Sequence, residues 1–166
     1  MSKEKPRPGE TLIAHNKRAS FDFELGDRFE AGIALRGVDV KLLRQGKVHF
    51  ADAFCTVFRG EAFLHGVRIT GTSHAPLGHS PNDARKLLLH AAEIERLTRA
   101  LDREGMTAVA TRLYFKGSWV KVEIRLARGK KVHDKREALK TQDAERELRA
   151  AMSHRRLRAP RPKPRD

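Results

Sequence analysis

The stretch from Thr107 to Ala127 leaves this chain little choice of fold. Val120, Val122, Ile124 and Leu126 alternate with Trp119, Lys121, Glu123 and Arg125, the period-2 pattern of a strand that lays one face on a core. Thr107 to Phe115 precedes it across Lys116-Gly117-Ser118, so the two runs predict a hairpin closed before Gly129. A second hairpin is predicted upstream, where Ala53 to Phe58 turns at Arg59-Gly60 and returns as Glu61 to Val67. There Phe54, Thr56 and Phe58 share one face, and Phe63, His65 and Val67 share another.

Shorter signals surround the hairpins. Phe21 and Phe23 alternate with polar neighbours as on a half-buried strand, and Phe29 to Leu35 continues extended, with Gly32 as a bulge or bend. Val38 to Gln45 reads as a short helix stopped by Gly46, with Lys41, Arg44 and then Lys47 bringing basic ends towards one face. Ile94, Leu97 and Leu101 recur at helical spacing and Gly105 closes that helix, although His90 is a poor capping residue for its start. Gly71 to Pro81 is a Gly/Ser/Thr/Pro loop without periodicity. Together these elements predict an α+β, mainly β fold: a small antiparallel barrel of the OB type with short flanking helices.

The organisation reads as three parts. Residues 1–10 hold no apolar side chain after Met1 and are expected to form a disordered arm, 11–127 the barrel core, and 128–166 a basic tail. From 127 onwards the chain holds 14 Lys and Arg against 6 Asp and Glu, which is +8 of a total net charge of +14. Asp134 with Glu137 resembles a capping box and predicts a helix from Asp134 towards Met152. Its apolar positions are only Leu139, Leu148 and Met152, so it is expected to form on a partner rather than alone. Pro160, Pro162 and Pro164 end regular structure.

Charge and chemistry narrow the function. A body and a tail that are both positive favour a polyanion, by counterion release and steering. There is no apolar run long enough for a membrane span and no signal peptide, and the single Cys55 excludes an internal disulfide, which fits a reducing cytoplasm. No metal site is expected: His74 and His79 share a loop but have only Asp83 near them. Cys55 lies mid-strand as a packed thiol, Glu24, Asp27 and Glu30 read as surface acids, and no phosphate-cradling glycine loop occurs. Nothing joins a base, a nucleophile and an oxyanion site, so a binding protein without cofactor or catalysis is predicted. Asn16-Lys17-Arg18 combines an amide able to read base edges with two phosphate-binding cations, and Arg85-Lys86 sets two more beside Leu87-Leu88-Leu89. RNA is therefore the expected partner.

A set of short motifs, in order, carries a family resemblance: Ile13 to Ala19, Phe29 to Ile33, Val40 to Lys47, Gly60 to Leu64, Arg85 to His90, Arg103 to Gly105 and Gly129 to Arg136. Spaced as they are from Ile13 to Arg136, they resemble the SmpB family, the SsrA-binding proteins of bacterial trans-translation. The resemblance implies an OB-like barrel without catalytic activity. It implies binding to the tRNA-like domain of transfer-messenger RNA, in place of an anticodon arm, and delivery with elongation factor Tu to ribosomes stalled on truncated messages. One copy of the protein would bind each RNA. It assigns RNA contact to Asn16, Glu30 and Leu88, with Glu30 meeting a base or sugar because a carboxylate repels phosphate. It places the tail as a helix in the empty messenger channel beyond the decoding centre, starting at Asp134, with His133 stacking on ribosomal RNA and Lys130, Lys131, Lys135 and Arg136 on phosphates. Departures from the family pattern fall at Asp83, Asp39, Leu42, Phe21 and Asp52-Ala53-Phe54, and Pro160 to Asp166 has no counterpart. The alternatives are a barrel-cored ribosomal or RNA-chaperone protein binding structured RNA broadly, and a nuclease using His74, His79 and Asp83.

Overall fold

The computed structural model describes residues 7–50, 52–70 and 82–130. The long hairpin forms as the alternation predicts: β8 (Met106–Lys116) and β9 (Trp119–Gly129) pair antiparallel and turn at Gly117, whose φ of +59° suits a residue without a side chain. The remaining strands assemble on its two edges. The free edge of β9 takes β2 (Phe23–Ile33). The free edge of β8 is shared, with Ala108 and Val109 pairing to β4 (Phe54–Phe58) and Arg112 to Lys116 pairing to β1 (Glu10–His15). Thr111 marks the handover. It is the extra residue of a bulge between Ala110 and Arg112, and its carbonyl accepts from the Asn16 N–H at 2.8 Å while the Ala110 N–H donates to Ala53 at 2.8 Å.

From β4 the chain of pairings runs through β5 (Glu61–His65) and β7 (Arg85–Leu88) to the far end of β2. The order β8-β4-β5-β7-β2-β9 thus returns to β8 as a ring of antiparallel strands, with β1 laid beside it. A separate pair, β3 (Val48–His49) and β6 (Arg68–Ile69), lies under α2 (Gly37–Arg44). The mainly antiparallel architecture with short helices expected from the sequence is the one observed.

The inward face is built from small residues where helix α3 (Ala91–Leu101) approaches. Ala31, Ala62, Ala108 and Ala110 are fully buried, which leaves room for Leu97 of α3 to reach Leu64, Leu113, Val122 and Ile124 in one cluster. α3 starts at His90 after all, because the Glu93 carboxylate accepts from the His90 N–H at 3.0 Å; this reverse bond of a capping box takes the place of a Ser or Asp at the cap. Asp39 plays the same part in α2, accepting from the Arg36 N–H at 3.4 Å.

Four local expectations change. Phe21 lies in a single-turn helix, α1 (Ala19–Asp22), rather than on a strand, because Asn16 accepts from the N–H groups of Arg18 and Ala19 and turns the chain there. The bulge in β2 falls between Leu25 and Arg28, not at Gly32. In α2, where Val38 and Leu42 stand one turn apart in the sequence pattern, it is Leu42 and Leu43 that face the core, while Val38 is exposed. Order begins within the arm expected to be disordered: Arg7 opens a turn whose carbonyl accepts from the Glu10 N–H at 3.0 Å, and its guanidinium reaches the buried Glu123 carboxylate at 3.3 Å. A buried anion recruits cations, and this one draws part of the N-terminal arm onto the sheet. The loop 71–81 and the helix proposed from Asp134 to Met152 lie outside the described residues.

Cys55 is buried in the core, and burial pushes its thiol up to about 12. An unfolded thiol ionises near pH 8.5. Its contribution to stability is therefore fully present below about pH 8.5 and is lost as pH rises towards the folded value. We expect Cys55 to resist a thiol-disulfide reagent in the native protein at pH 8 and to react fully in concentrated guanidinium. Rapid reaction under native conditions would show that the ring opens locally around β4.

Candidate nucleic-acid interface

The outer face of β1, β8, β9 and β2 carries charge where an ordinary solvated strand face would be exposed. Opposite residues share a face, so Glu30, Glu123 and Arg112 form one row across β2, β9 and β8. Arg112 is buried and sits 3.2 Å from Glu10 and 3.7 Å from Glu123. Glu123 is buried too, and it also meets Arg7, Arg28 at 3.5 Å and the Thr111 hydroxyl at 3.2 Å.

Nearer the β8–β9 turn this network opens to solvent. The Tyr114 hydroxyl, fully buried, donates to Glu30 at 2.6 Å, Lys116 donates to the other Glu30 oxygen at 3.2 Å, and Lys121 stands 4.0 Å from it. The Tyr114 hydrogen bond is the main cause holding the Glu30 carboxyl below its ordinary pKa; partial burial opposes it, and the two lysines reinforce it. Tyr114 is shifted upwards, by burial first and by Glu30 second. In the adjacent row Leu88, Gly32, Lys121 and Tyr114 lie side by side. A Cβ at Gly32 would stand 3.3 Å from that of Leu88, so the glycine makes room for a leucine that is 54% exposed. Trp119, 74% exposed, faces Lys116 across the turn. Leu88, Lys121, Lys116 and Trp119 therefore form an open surface of cations and apolar anchors, braced from beneath by Glu30.

The other residues singled out from sequence take different parts. Asn16 is buried; its amide oxygen accepts from Arg18 and Ala19 at 3.2 Å, and its nitrogen donates to Ala110 at 3.4 Å. The expected reading of base edges by this amide does not fit, and Asn16 instead fixes the turn that exposes Lys17 and Arg18. The expectation that Arg85 holds phosphate does not fit either, because strand alternation turns it inward while Lys86 faces out. Its guanidinium donates to the carbonyls of Val67 and Asp83 at 2.8 Å and lies 3.9 Å from Asp39. Lys86 is exposed and paired with Glu61. Lys41 and Arg44 are exposed on α2. Lys130 is the last described residue; Lys131, His133, Asp134, Lys135 and Arg136 lie outside the described residues, as do His74 and His79.

The sequence profile of the SmpB protein family matches residues 13–154. The chain belongs to the SmpB family. The SsrA-binding protein of Sorangium cellulosum is 66% identical over 154 residues, covering 93% of this chain and 95% of the relative. That of Oleidesulfovibrio alaskensis is 48% identical, covering 90% and 96%. A solved structure described as "tmRNA-SmpB: a journey to the center of the bacterial ribosome" is 39% identical, with a TM-score of 0.62 over 76% of this chain and 93% of that one.

Three of the positions expected to depart from the family pattern have clear places in the fold. Asp83 contributes its backbone carbonyl to Arg85, Asp39 caps α2 and faces Arg85, and Leu42 joins the core. Sequence reasoning passed over Lys116, Lys121, Tyr114 and Trp119, which the structure gathers around Glu30 and the β8–β9 turn. The signal was present, because the alternation that buries Val120 and Val122 puts Trp119 and Lys121 on the opposite face.

Glu30→Ala should leave the buried Tyr114 hydroxyl unpaired and cost about 1–3 kcal/mol. Adding Tyr114→Phe should then cost little more, giving a coupling that urea denaturation of the two single variants and the double variant would measure. Strict additivity would mean that Glu30 and Tyr114 do not act as a pair. Glu30 is held below its unfolded pKa, so its contribution is present above the ordinary carboxylate value of 4.5 and is lost as pH falls through the folded value.

Proposed function

We propose that this SmpB-family protein binds the tRNA-like domain of tmRNA through the outer face around Lys116, Lys121, Leu88 and Trp119, and brings that RNA to stalled ribosomes. The single observation that carries the reading is that surface: two lysines splayed from one carboxylate, flanked by an exposed leucine and an exposed indole, in a protein of the SmpB family. Lysines hold phosphates, while leucine and tryptophan pack on bases or riboses that a folded RNA leaves unstacked. Glu30 orients the cations rather than meeting the RNA alone, since its two oxygens already serve Tyr114, Lys116 and Lys121. Lys17, Arg18, Lys86, Lys41 and Arg44 add exposed positive charge around the body.

The basic tail, with Lys130, Lys131, His133, Asp134, Lys135 and Arg136, is the part proposed to enter the ribosome's empty messenger channel. Elongation factor Tu joins through the RNA, one copy of the protein serves each complex, and the setting is the cytoplasm. Among the described residues no helix is long and apolar enough to cross a membrane, and no group of three His, Cys, Asp or Glu is arranged to hold a metal. We propose no catalytic step.

Sequencing the RNA that copurifies with the protein tests the reading. Enrichment of one tRNA-like RNA supports it; a broad spread of ribosomal fragments would favour a general structured-RNA binder. Lys116→Ala should weaken tmRNA binding and flatten its salt dependence by about 0.7–0.9 in log–log slope for each phosphate it no longer neutralises. Truncation before Lys130 should leave tmRNA affinity largely intact and abolish tagging on stalled ribosomes; an equal loss of affinity would overturn the division between body and tail.

A further inference from the structure

A cavity of about 350 Å³ opens between α1 and the outer face of β4 and β8, at the Gly129 end of the long hairpin. Lys121 and the Glu30 group lie towards the other end. Phe23, Phe54 and Val109 give it apolar walls, while Asp22 and Asp52 bring carboxylates to its lining. Phe54 is 42% exposed and held in place by a parallel stack on His65, with ring centroids 5.2 Å apart and planes 16° from parallel. His65 is in turn fixed by the Thr56 hydroxyl at 2.9 Å.

Asp52 has no hydrogen-bond or ion-pair partner among the described residues, and its backbone sits in the left-handed region at φ +58°. Its position is enforced from behind. A Cβ on Gly66 would fall 2.6 Å from the Asp52 carbonyl oxygen, so only glycine allows the two segments to lie so close. Arg18 lines the same cavity with a largely exposed side chain, 3.7 Å from Asp22.

We propose that this cavity holds one unstacked guanine of an RNA. Two aromatic walls suit a planar ring. Asp22 is answered by Arg18, but Asp52 has no such partner and favours a ring edge that presents N–H groups. Guanine offers N1–H and N2–H side by side, a pair that one carboxylate can accept from in bidentate fashion, whereas adenine and cytosine present a single amino group beside an acceptor. An arginine side chain has a similar donor fork, but a chain of net charge +14 with Arg18 already in the lining disfavours a second cation. Arg18 is available instead for the phosphate that accompanies the base. The proposal rests on the reading of the chain as an RNA-binding protein and names a contact distinct from the Lys116–Lys121 surface.

The test uses the full chain and labelled pentaribonucleotides UUGUU, UUIUU and UUAUU, with binding followed by fluorescence anisotropy and the Thr107 and Val109 amides followed by NMR. The guanine oligomer should bind about tenfold or more tighter than the adenine one, the range one bidentate base contact supplies. Inosine, which lacks the N2 amine, should fall between. Asp52→Asn should remove the preference without unfolding the protein, since Asn adopts left-handed φ as readily as Asp. Equal binding of the three oligomers, a preference that survives Asp52→Asn, or displacement by an arginine peptide rather than by guanine would overturn the proposal. If tmRNA still binds in those cases, the functional reading stands without this pocket; if tmRNA does not bind either, that reading has failed on its own account.

Discussion

Arg112 is the charge around which the outer layer of this protein is organised. It is 1% exposed, and an ion taken out of water costs several kcal/mol unless other charges answer it. Glu10 answers from β1 and Glu123 from β9. Glu123 is buried in its turn and brings in Arg28 from β2 and Arg7 from ahead of β1. Alternating charges thus tie four strands and the N-terminal segment together on the face opposite the apolar core. Removing one partner would strand a buried ion, at a cost of about 3–5 kcal/mol. The network also explains why β1 stays beside β8, although β4 already pairs with that strand's other half.

The same arrangement decides which charges reach solvent. Close to Arg112 every ionic group is answered within the protein. One row towards the hairpin turn, the Glu30 carboxylate is shared between a buried phenol and two lysines that project outward. A carboxylate in that position does not cancel the positive surface. It holds two flexible side chains, each with a large rotamer entropy, near one geometry before any RNA arrives. On the proposed function, a phosphate backbone would meet the preorganised cations rather than the carboxylate.

Much of the fold was legible in the sequence because it follows from period-2 alternation and turn glycines: both hairpins and the Gly46 stop of α2 needed nothing else, whereas α3 already ends at Leu101 and Gly105, at φ +74°, serves the turn into β8. Ring closure was not legible residue by residue, since the handover of β8 from β4 to β1 depends on a bulge at Thr111 that no local composition announces. The candidate site was legible only in part. Leu88 and Glu30 were singled out by the family resemblance and Lys86 by its charge, whereas the burial of Asn16 and Arg85 could not be read in advance, because a basic or amide side chain carries no mark of which way its strand faces. Only the register turns Arg85 inward onto Val67 and Asp83, and only the turn after β1 commits the Asn16 amide to its own backbone.

The two ends of the long hairpin have different chemistry, and their spacing matters for what they can hold. Lys121 and Ala127 are six residues apart on β9, which at strand rise is about 20 Å. Lys116, Lys121 and Trp119 at the turn end suit backbone phosphates and broad stacking. Thr107, Val109, Phe54 and Asp52 at the other end line the cavity proposed to take a single base. One nucleotide cannot span that distance, so an RNA gripped at the turn end reaches the cavity only through a different segment, or leaves it to a different RNA. As proposed, a grip that tolerates sequence at one end and a pocket that tests one base at the other would give a small protein two kinds of contact on one pair of strands, with Arg112 and its partners Glu10 and Glu123 placed between them.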